Sequence, residues 1–141
     1  MTLDSPVESP REVVERLFGE LRSRDAKAFV ARFAPDAIFE IPFTVPGLPA
    51  RLEGREAIRE HLAQRWSGLS GIEVHAIHPR VYETTDPEVL LVENEVDMTV
   101  PGTGRARVRT SVNVVHVRDG EVVLFRDYMD TARFARSASG E

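Results

Sequence analysis

The chain has 141 residues, of which 42% are hydrophobic and 29% charged, and a chain of this size and composition forms one globular domain. Its net charge of -5 leaves no positive field that would attract nucleic acid or an anionic membrane. The sequence contains no cysteine, which excludes disulfides, thiolate metal sites and a cysteine nucleophile, and fits a cytoplasmic protein. The longest aliphatic run, residues 89–92, is far shorter than the about 20 residues that span a bilayer.

Helix signals come first along the chain. We predict a flexible leader over residues 1–9, one domain over 10–135 and a tail over 136–141. Ser9 and Pro10 begin a first helix. Its inward stripe is Val13, Val14, Leu17, Phe18 and Leu21. Asp25 caps a short second helix that ends at Ala34-Pro35. A third helix is predicted over residues 55–66.

The rest of the chain has the alternation of β-strands. A first strand is predicted at 37–43, and the proline-rich stretch 42–49 is a loop. Four further strands are predicted at 72–83, 88–100, 105–117 and 121–129, and short turns join them as consecutive antiparallel neighbours. Helices followed by a meander predict an α+β fold in which one curved sheet closes over the helices.

Two neighbouring strands carry a charged stripe. The turn between them places Asp97 opposite Arg107 and Glu95 opposite Arg109, which predicts a cross-strand charge ladder. The ladder has two interpretations at this point. It is either a solvated face with weak ion pairs or a polar wall that lines a cleft.

Two ionisable residues point inward by periodicity alone. Asp127 lies in the last strand on the same face as Val123, Phe125 and Met129, and burial there would raise its pKa and suit it to general acid or base catalysis. On the third helix, His61 shares a mostly apolar stripe with Arg65 and Trp66. The structural alternatives are a packed core histidine and an aspartate in a buried ion pair, and Arg65 is the candidate partner for that pair.

The other candidate site residues have weaker sequence signals than Asp127 and His61. Glu40 is a second possible pocket carboxylate, although one residue of register would turn it to solvent. His75 and His78 lie three residues apart on a strand and therefore on opposite faces, so they cannot chelate one ion. We predict no metal site and no cofactor.

The chain resembles the nuclear transport factor 2-like superfamily, which includes ketosteroid isomerase, SnoaL-like polyketide cyclases and limonene epoxide hydrolase. The motifs that carry the resemblance are Ala37-Ile38-Phe39-Glu40-Ile41-Pro42, Leu52-Glu53-Gly54-Arg55-Glu56-Ala57-Ile58 and Arg126-Asp127-Tyr128-Met129. The resemblance implies a cone-shaped α+β roll, with the sheet wrapped around three helices. It is strongest to the phenazine-biosynthesis A/B proteins, through Val81-Tyr82-Glu83-Thr84-Thr85-Asp86-Pro87 and the Pro101-Gly102 turn.

The resemblance also implies site residues. His61 and Asp127 match the helix-three histidine and last-strand glutamate of the phenazine proteins. Asn113 matches an acidic hydrogen-bond donor of the isomerase, while Leu17 and Ile41 replace its other two catalytic residues, so steroid isomerisation is not expected. Asp97 and Asp127 match two acids of the epoxide hydrolase. The resemblance further implies a homodimer through the convex sheet face, which agrees with the apolar positions Val96, Met98, Val108, Val112 and Val114.

These observations predict a cofactor-free enzyme that transfers protons on a small hydrophobic biosynthetic intermediate, as an isomerase, cyclase or condensing enzyme. The predicted catalytic residues are Asp127, His61 and Asn113, with Asn113 as donor to a developing oxyanion. The predicted substrate-binding residues are Glu40, Arg65, Trp66, Asp97 and Phe125. The alternatives are a non-catalytic ligand-binding or assembly domain, and an epoxide hydrolase that uses Asp97 and Asp127 with Arg107 or Arg109.

Overall fold

The fold is taken from a computed structural model, which describes residues 8–43, 46–69 and 71–130. Its helices are α1 (Pro10–Gly19), α2 (Ala26–Val30) and α3 (Arg55–Ser67), with a 3₁₀ turn at Glu20–Ser23. Its strands are β1 (Phe33–Glu40), β2 (Arg51–Glu53), β3 (Glu73–Glu83), β4 (Val89–Val100), β5 (Gly104–Arg118) and β6 (Glu121–Met129). The α+β prediction is confirmed. Most of the predicted leader, the end of the predicted domain and the whole tail lie outside the described residues.

The helix starts follow their capping signals. The Ser9 hydroxyl accepts a hydrogen bond from the Glu12 backbone at 3.2 Å, and the Glu12 carboxylate accepts one from the Ser9 backbone at 3.1 Å. Asp25 caps α2 by accepting from the Ala28 backbone at 3.2 Å. These bonds satisfy backbone donors that the first helical turn leaves unpaired, so α1 and α2 begin where their capping residues predict.

The six strands form one sheet in the order β2-β1-β6-β5-β4-β3. Strands β3 to β6 make the predicted antiparallel meander, whereas β1 pairs with β6 in parallel. The prediction of the first strand needs correction, because β1 begins at Phe33 and includes Pro35. Proline lacks an N–H, and the pairing of β1 with β6 is irregular between Phe33 and Ile38, so Pro35 lies in a stretch where no regular ladder is required.

The core lies between the helices and one face of the sheet. Val13, Leu17, Phe33, Ile58 and Val115 are among its completely buried side chains. The opposite sheet face, which we call the open face, includes Leu91, Val112 and Tyr82, and their side chains are 37 to 40% exposed. In the described part of the chain, no helix combines the length and the apolar character needed to cross a membrane.

A bulge in β5 changes which residues share a face. Asn94 pairs with Ser111 and Glu95 pairs with Arg109, so Thr110 is an extra residue with no partner opposite it. The predicted row of apolar residues along β5 is therefore divided between the two faces of the sheet. Val112 lies on the open face, whereas Val108, which pairs with the buried Val96, lies on the helix-covered face.

The same bulge corrects the proposed dimer surface. Of the five predicted apolar positions, Val112 and Val114 lie on the open face, and Val96, Met98 and Val108 lie on the other. The charge ladder is on the open face too, in the predicted register of Asp97 with Arg107 and Glu95 with Arg109.

Candidate active site

A cavity of about 150 Å³ opens between α3, the 3₁₀ turn and the helix-covered face of the sheet. One wall is aromatic and aliphatic, and the other is polar. The apolar wall consists of Phe18, Leu21, Phe29, Phe39, Leu62, Trp66, Phe125 and Met129. The polar wall consists of Arg65, Asn94, Thr110, Ser111, Asn113 and Asp127. The predicted residues Arg65, Trp66, Asn113, Phe125 and Asp127 thus line one cavity.

Asp127 is the acidic residue of this cavity, and only 9% of its surface is exposed. The alternation of β6 places Phe125, Asp127 and Met129 on the helix-covered face, as predicted. The Asn113 side-chain amide donates to Asp127 Oδ1 at 3.1 Å from the neighbouring strand. The Ser111 hydroxyl in turn donates to Asn113 Oδ1 at 3.0 Å, so a chain of two bonds fixes the carboxyl group.

Arg65 approaches Asp127 from α3. Its guanidinium lies 3.8 Å from Asp127 Oδ2 and donates to the Met129 sulfur at 3.5 Å. A separation of 3.8 Å exceeds the roughly 2.7–2.9 Å of a charge-assisted hydrogen bond, so this is a long ion pair and not a bidentate clamp. The predicted contact between the two residues is therefore present, with a cavity beside it.

Burial raises the pKa of the Asp127 carboxyl above the ordinary aspartate value. The Arg65 charge and the hydrogen bond from Asn113 act in the opposite direction, and the loss of solvation outweighs them. A carboxyl whose pKa is raised can accept and return a proton nearer to neutral pH, which is the requirement for a general acid or base.

His61 lies outside the cavity that Asp127 lines. The His61 ring lies 6.2 Å from the ring of Phe39, and His61 is not among the residues that line the cavity. Burial, followed by the nearby Arg65 charge, lowers the pKa of His61, so the imidazole is neutral at pH 7. Within the described residues no hydrogen bond or ion pair joins it to Asp127. The polar contacts of Asp127 are with Asn113 and Arg65.

Glu40 does not line the cavity. Phe39 takes the inward position on β1, and the neighbouring Glu40 therefore faces the other way. Its carboxylate pairs with Arg126 at 3.0 Å and with Arg51 at 3.4 Å. The prediction of a second pocket carboxylate is wrong, because the register of β1 turns Phe39, and not Glu40, towards the cavity.

Asp97 is also absent from the cavity. It lies three residues after the inward Asn94 on β4, hence on the open face, where it pairs with Arg105 at 3.0 Å. Arg107 and Arg109 pair with Glu95 at 2.6 and 3.1 Å on the same face. Asp97 and Asp127 therefore lie on opposite faces of the sheet, and the predicted epoxide-hydrolase set does not assemble.

Three polar residues of the cavity were missed from the sequence, namely Asn94, Thr110 and Ser111. Asn94 is 4% exposed, although an asparagine inside a run of strand residues gives no separate signal. Ser111 had the same periodicity as the exposed arginines of β5, and only the bulge at Thr110 turns it inward. A bulge of this kind is not visible in the hydrophobic pattern.

A larger open groove of about 880 Å³ runs along β3 and the charge ladder. Its walls carry charged side chains that are held in ion pairs, Arg11 with Glu15, and Arg107 and Arg109 with Glu95. Exposed pairs of this type contribute about 0–1 kcal/mol each and activate no group. The small cavity at Asp127 is therefore the candidate active site.

The family model of the SnoaL-like domain matches residues 14–125, from α1 to the strand that carries Phe125. The chain belongs to the SnoaL-like family. The resemblance inferred from the sequence is confirmed, and so is the fold, which this family shares with nuclear transport factor 2-like proteins.

Relatives agree with this membership. An uncharacterised PhzA/B-like protein of Pseudomonas aeruginosa is 28% identical over 130 residues, which cover 92% of this chain and 90% of that protein. The crystal structure of a candidate isomerase from Bacillus subtilis is 25% identical, covers 94% of both chains and has a TM-score of 0.77. A phenazine biosynthesis-related protein of Pseudomonas aeruginosa, 22% identical, has the same fold with a TM-score of 0.64 over 92% of this chain and 84% of that one.

Proposed function

We propose that this SnoaL-like protein is an enzyme that catalyses proton transfer on a small, largely apolar molecule with its own side chains. The observation that carries the proposal is the buried Asp127 carboxyl, whose pKa is raised at the wall of a cavity lined mostly by aromatic and aliphatic residues. A protein rarely keeps such a group in its interior unless it has a partner or a task. The relatives described as a candidate isomerase and as PhzA/B-like are consistent with it.

The proposed step begins with a substrate that has an acidic C–H bond next to a carbonyl group. Asp127 Oδ2 accepts the proton, the C–H electron pair moves into the carbonyl, and negative charge develops on the carbonyl oxygen. The protonated Asp127 then returns the proton to the same carbon or to another one. Exchange and isomerisation follow directly from this step. Cyclisation follows when the enolate carbon instead attacks a second carbonyl carbon of the same molecule, whose π electrons move to its oxygen, and that oxygen takes the proton from Asp127.

Arg65 and Asn113 have separate parts in this proposal. Arg65, 3.8 Å from Asp127 Oδ2, supplies the positive charge that stabilises the developing oxyanion. Asn113 was predicted to be the oxyanion donor, but it donates to Asp127 Oδ1 and accepts from Ser111. We therefore propose Asn113 as a positioning residue that fixes the carboxyl plane. His61, with its lowered pKa, would act only through packing against Phe39.

The size of the cavity limits the substrate class. A cavity of about 150 Å³ is the size that accommodates one benzene-like ring. The rings of Phe18, Phe29, Phe39 and Phe125 suit an apolar ring on the side opposite the polar wall. The substrate proposed here is thus a single-ring ketone, or the ring of a larger molecule that extends through the mouth.

The experiment is proton exchange in deuterated water. Cyclohexanone and cyclohex-2-enone are incubated with the protein, and loss of the proton signals next to the carbonyl is followed by NMR. We expect the native protein to accelerate exchange above the buffer rate, whereas Asp127→Asn does not. Equal acceleration by both proteins would remove Asp127 from the mechanism.

The alternatives make different predictions. A non-catalytic domain that uses Asp127 as an ion-pair partner of Arg65 predicts a large loss of stability when either residue is changed. Epoxide hydrolysis through Asp97 has no support, since Asp97 is bound to Arg105 on the open face.

We also propose that a second copy of the chain covers the open face. Leu91, Val112 and Tyr82 expose apolar surface there in adjacent strands. Sedimentation velocity is expected to show a dimer, and Leu91→Asp is expected to shift it to monomer. Leu69→Asp is the matched control, because Leu69 lies after α3 and has the same 38% exposure as Leu91. A native monomer, or equal dissociation by both variants, would contradict the proposal.

A further inference from the structure

The helix-covered rows of β4 and β5 remain apolar beyond the cavity. Asn94 lines the cavity, and every second residue of β4 after it lies on the same face. The first of these, Val96, pairs with a residue of β5 on the turn side of the Thr110 bulge. The four apolar residues of this face between Val96 and the β4–β5 turn, which we call the outer strip, are Met98, Val100, Ala106 and Val108.

Exposure rises along β4 from the core to the outer strip. Leu90 and Val92 are 2% and 0% exposed, and Val96 is 9% exposed. Met98 and Val100, further along the same row, are half-buried. The cavity is therefore closed at its core end, and its open end faces the outer strip.

In the part of the chain that the structure describes, the hydrophobic core ends before the outer strip. The strip belongs neither to the buried core nor to the partly buried side chains packed against it. The open face of the same strand segments carries the ion pairs of Asp97 with Arg105 and of Glu95 with Arg107. These segments are thus amphipathic, and the core leaves their apolar side accessible. Accessible apolar surface of this kind marks binding sites.

Continuity with the cavity favours a chain of the bound molecule as the occupant of the outer strip. The strip is two strands wide and four residues long, roughly 10 Å by 14 Å. This area is far below the about 800 Å² that each partner buries in a stable protein complex. All four side chains are apolar, so they offer a protein partner neither charge nor hydrogen bonds.

The outer strip and the acid lie on different sides of the cavity. Asp127 is on β6 and pairs with Asn113, whereas Val108 lies beyond the Thr110 bulge of β5. Arg65 is on the side of the acid, 3.8 Å from Asp127 Oδ2. A cyclic ketone with its carbonyl at Arg65 and its reacting carbon at Asp127 therefore directs the ring carbon opposite the carbonyl towards the strip.

We propose that the outer strip is a subsite for an aliphatic chain, and that the substrate is a cyclic ketone with such a chain on the ring carbon opposite its carbonyl. The inference rests on the proposed function in one respect, that the cavity is the substrate site. Met98 and Val108 are then specificity-determining residues, because they contact the chain and not the reacting atoms.

The test compares two isomers that contain the same atoms. The chain of 4-pentylcyclohexanone is opposite the carbonyl, whereas that of 2-pentylcyclohexanone is beside it, so a difference in affinity reports the position of the chain. Each ketone is titrated into isotopically labelled protein, and its dissociation constant is taken from amide chemical shifts. Nuclear Overhauser effects from the terminal methyl group of the chain identify the side chains that it contacts.

Three substitutions that keep side-chain size complete the design. Met98→Gln replaces the thioether by an amide of similar length, and Val108→Thr replaces one methyl group by a hydroxyl; the two are combined in one variant. Val112→Thr is the matched control, because it makes the same change on the open face of the same strand, where Val112 is 37% exposed.

We expect the native protein to bind the 4-isomer about tenfold more tightly than the 2-isomer, the effect of several methylene groups that lose part of their contact with water. The preference is expected to fall below about threefold in the double variant and to stay within about twofold of native in Val112→Thr. Contacts of the chain methyl group with Met98 are expected in the native complex.

Equal affinity of the native protein for the two isomers, an unchanged preference in the double variant, or chain contacts elsewhere would overturn the proposal. A double variant that changes the sedimentation coefficient but not the preference would assign the strip to a second copy of the chain, which also overturns it.

These outcomes are separable from those of the proposed function. Proton exchange with cyclohexanone needs no chain, so exchange that depends on Asp127, without preference between the isomers, would retain catalysis and contradict the chain subsite. A preference that depends on the outer strip, without exchange of any ketone, would retain the chain subsite and contradict catalysis.

Discussion

Asp127→Asn is expected to lower the rate of proton exchange by about 10²–10⁴-fold, the usual effect of removing a general base. The substitution preserves the shape of the side chain, and its amide oxygen can still accept the Asn113 hydrogen bond that Asp127 Oδ1 accepts at 3.1 Å. What it removes is the group that takes the proton. The measurement is the NMR exchange rate with cyclohexanone for the native protein and the variant.

The same substitution is expected to leave the melting temperature unchanged or higher at neutral pH. Burial raises the pKa of Asp127, so the protonated carboxyl stabilises the fold below the unfolded-state pKa, and this contribution is lost as pH rises through the raised pKa. The neutral amide does not titrate. The melting temperature of Asp127→Asn, relative to native, should therefore be higher at pH 8 than at pH 4.

If Asp127 is only an ion-pair partner in a non-catalytic domain, we expect Asp127→Asn to lower the melting temperature at neutral pH. If the pair with Arg65 stabilised the fold, removing the carboxylate would break a buried ion pair and cost about 3–5 kcal/mol. A large fall in melting temperature for Asp127→Asn at pH 8, with the exchange rate unchanged, would support a non-catalytic domain.

Phe125→Ala is expected to lower the free energy of unfolding by about 3–5 kcal/mol, as for other buried aromatic residues. Phe125 is 5% exposed and lies at the centre of the aromatic cluster. Its ring centroid is 5.3 Å from that of Phe39, 5.8 Å from Phe29 and 6.1 Å from both Phe18 and Phe33. The measurement is urea unfolding at equilibrium.

Phe43→Ala is the matched control for that substitution. Phe43 is 55% exposed, and its recorded ring contact is with Tyr128 at 5.4 Å. Its replacement should cost less than about 1 kcal/mol, the range of one exposed aromatic pair. Equal losses for the two variants would contradict the assignment of Phe125 to the centre of the core.

Much of the fold was predictable because local and periodic signals agree. Ser9 and Asp25 mark the helix starts, and the alternation around Asp127 places it inward without knowledge of the partner strands. The parallel pairing of β1 with β6 was not predictable, since it joins distant parts of the chain and leaves no periodic trace.

Half of the polar wall, namely Thr110, Ser111 and Asn113, lies on β5 beside a single irregularity. The extra residue Thr110 reverses the faces of β5, which places Ser111 in the cavity and divides the valine row. The directions in which Asn94 and Glu40 point were not predictable either. Tertiary packing, and not the local sequence, decides which face of these strands is buried.

The most direct test of the central claim is a titration of the Asp127 carboxyl by carbon-13 NMR. We expect a midpoint above the ordinary aspartate pKa of about 3.9, and a further rise in Arg65→Met, because the guanidinium lowers this pKa in the native protein. A midpoint at or below the ordinary value would show that the carboxyl is a stabilised ion-pair partner, and it would contradict the proposed catalysis.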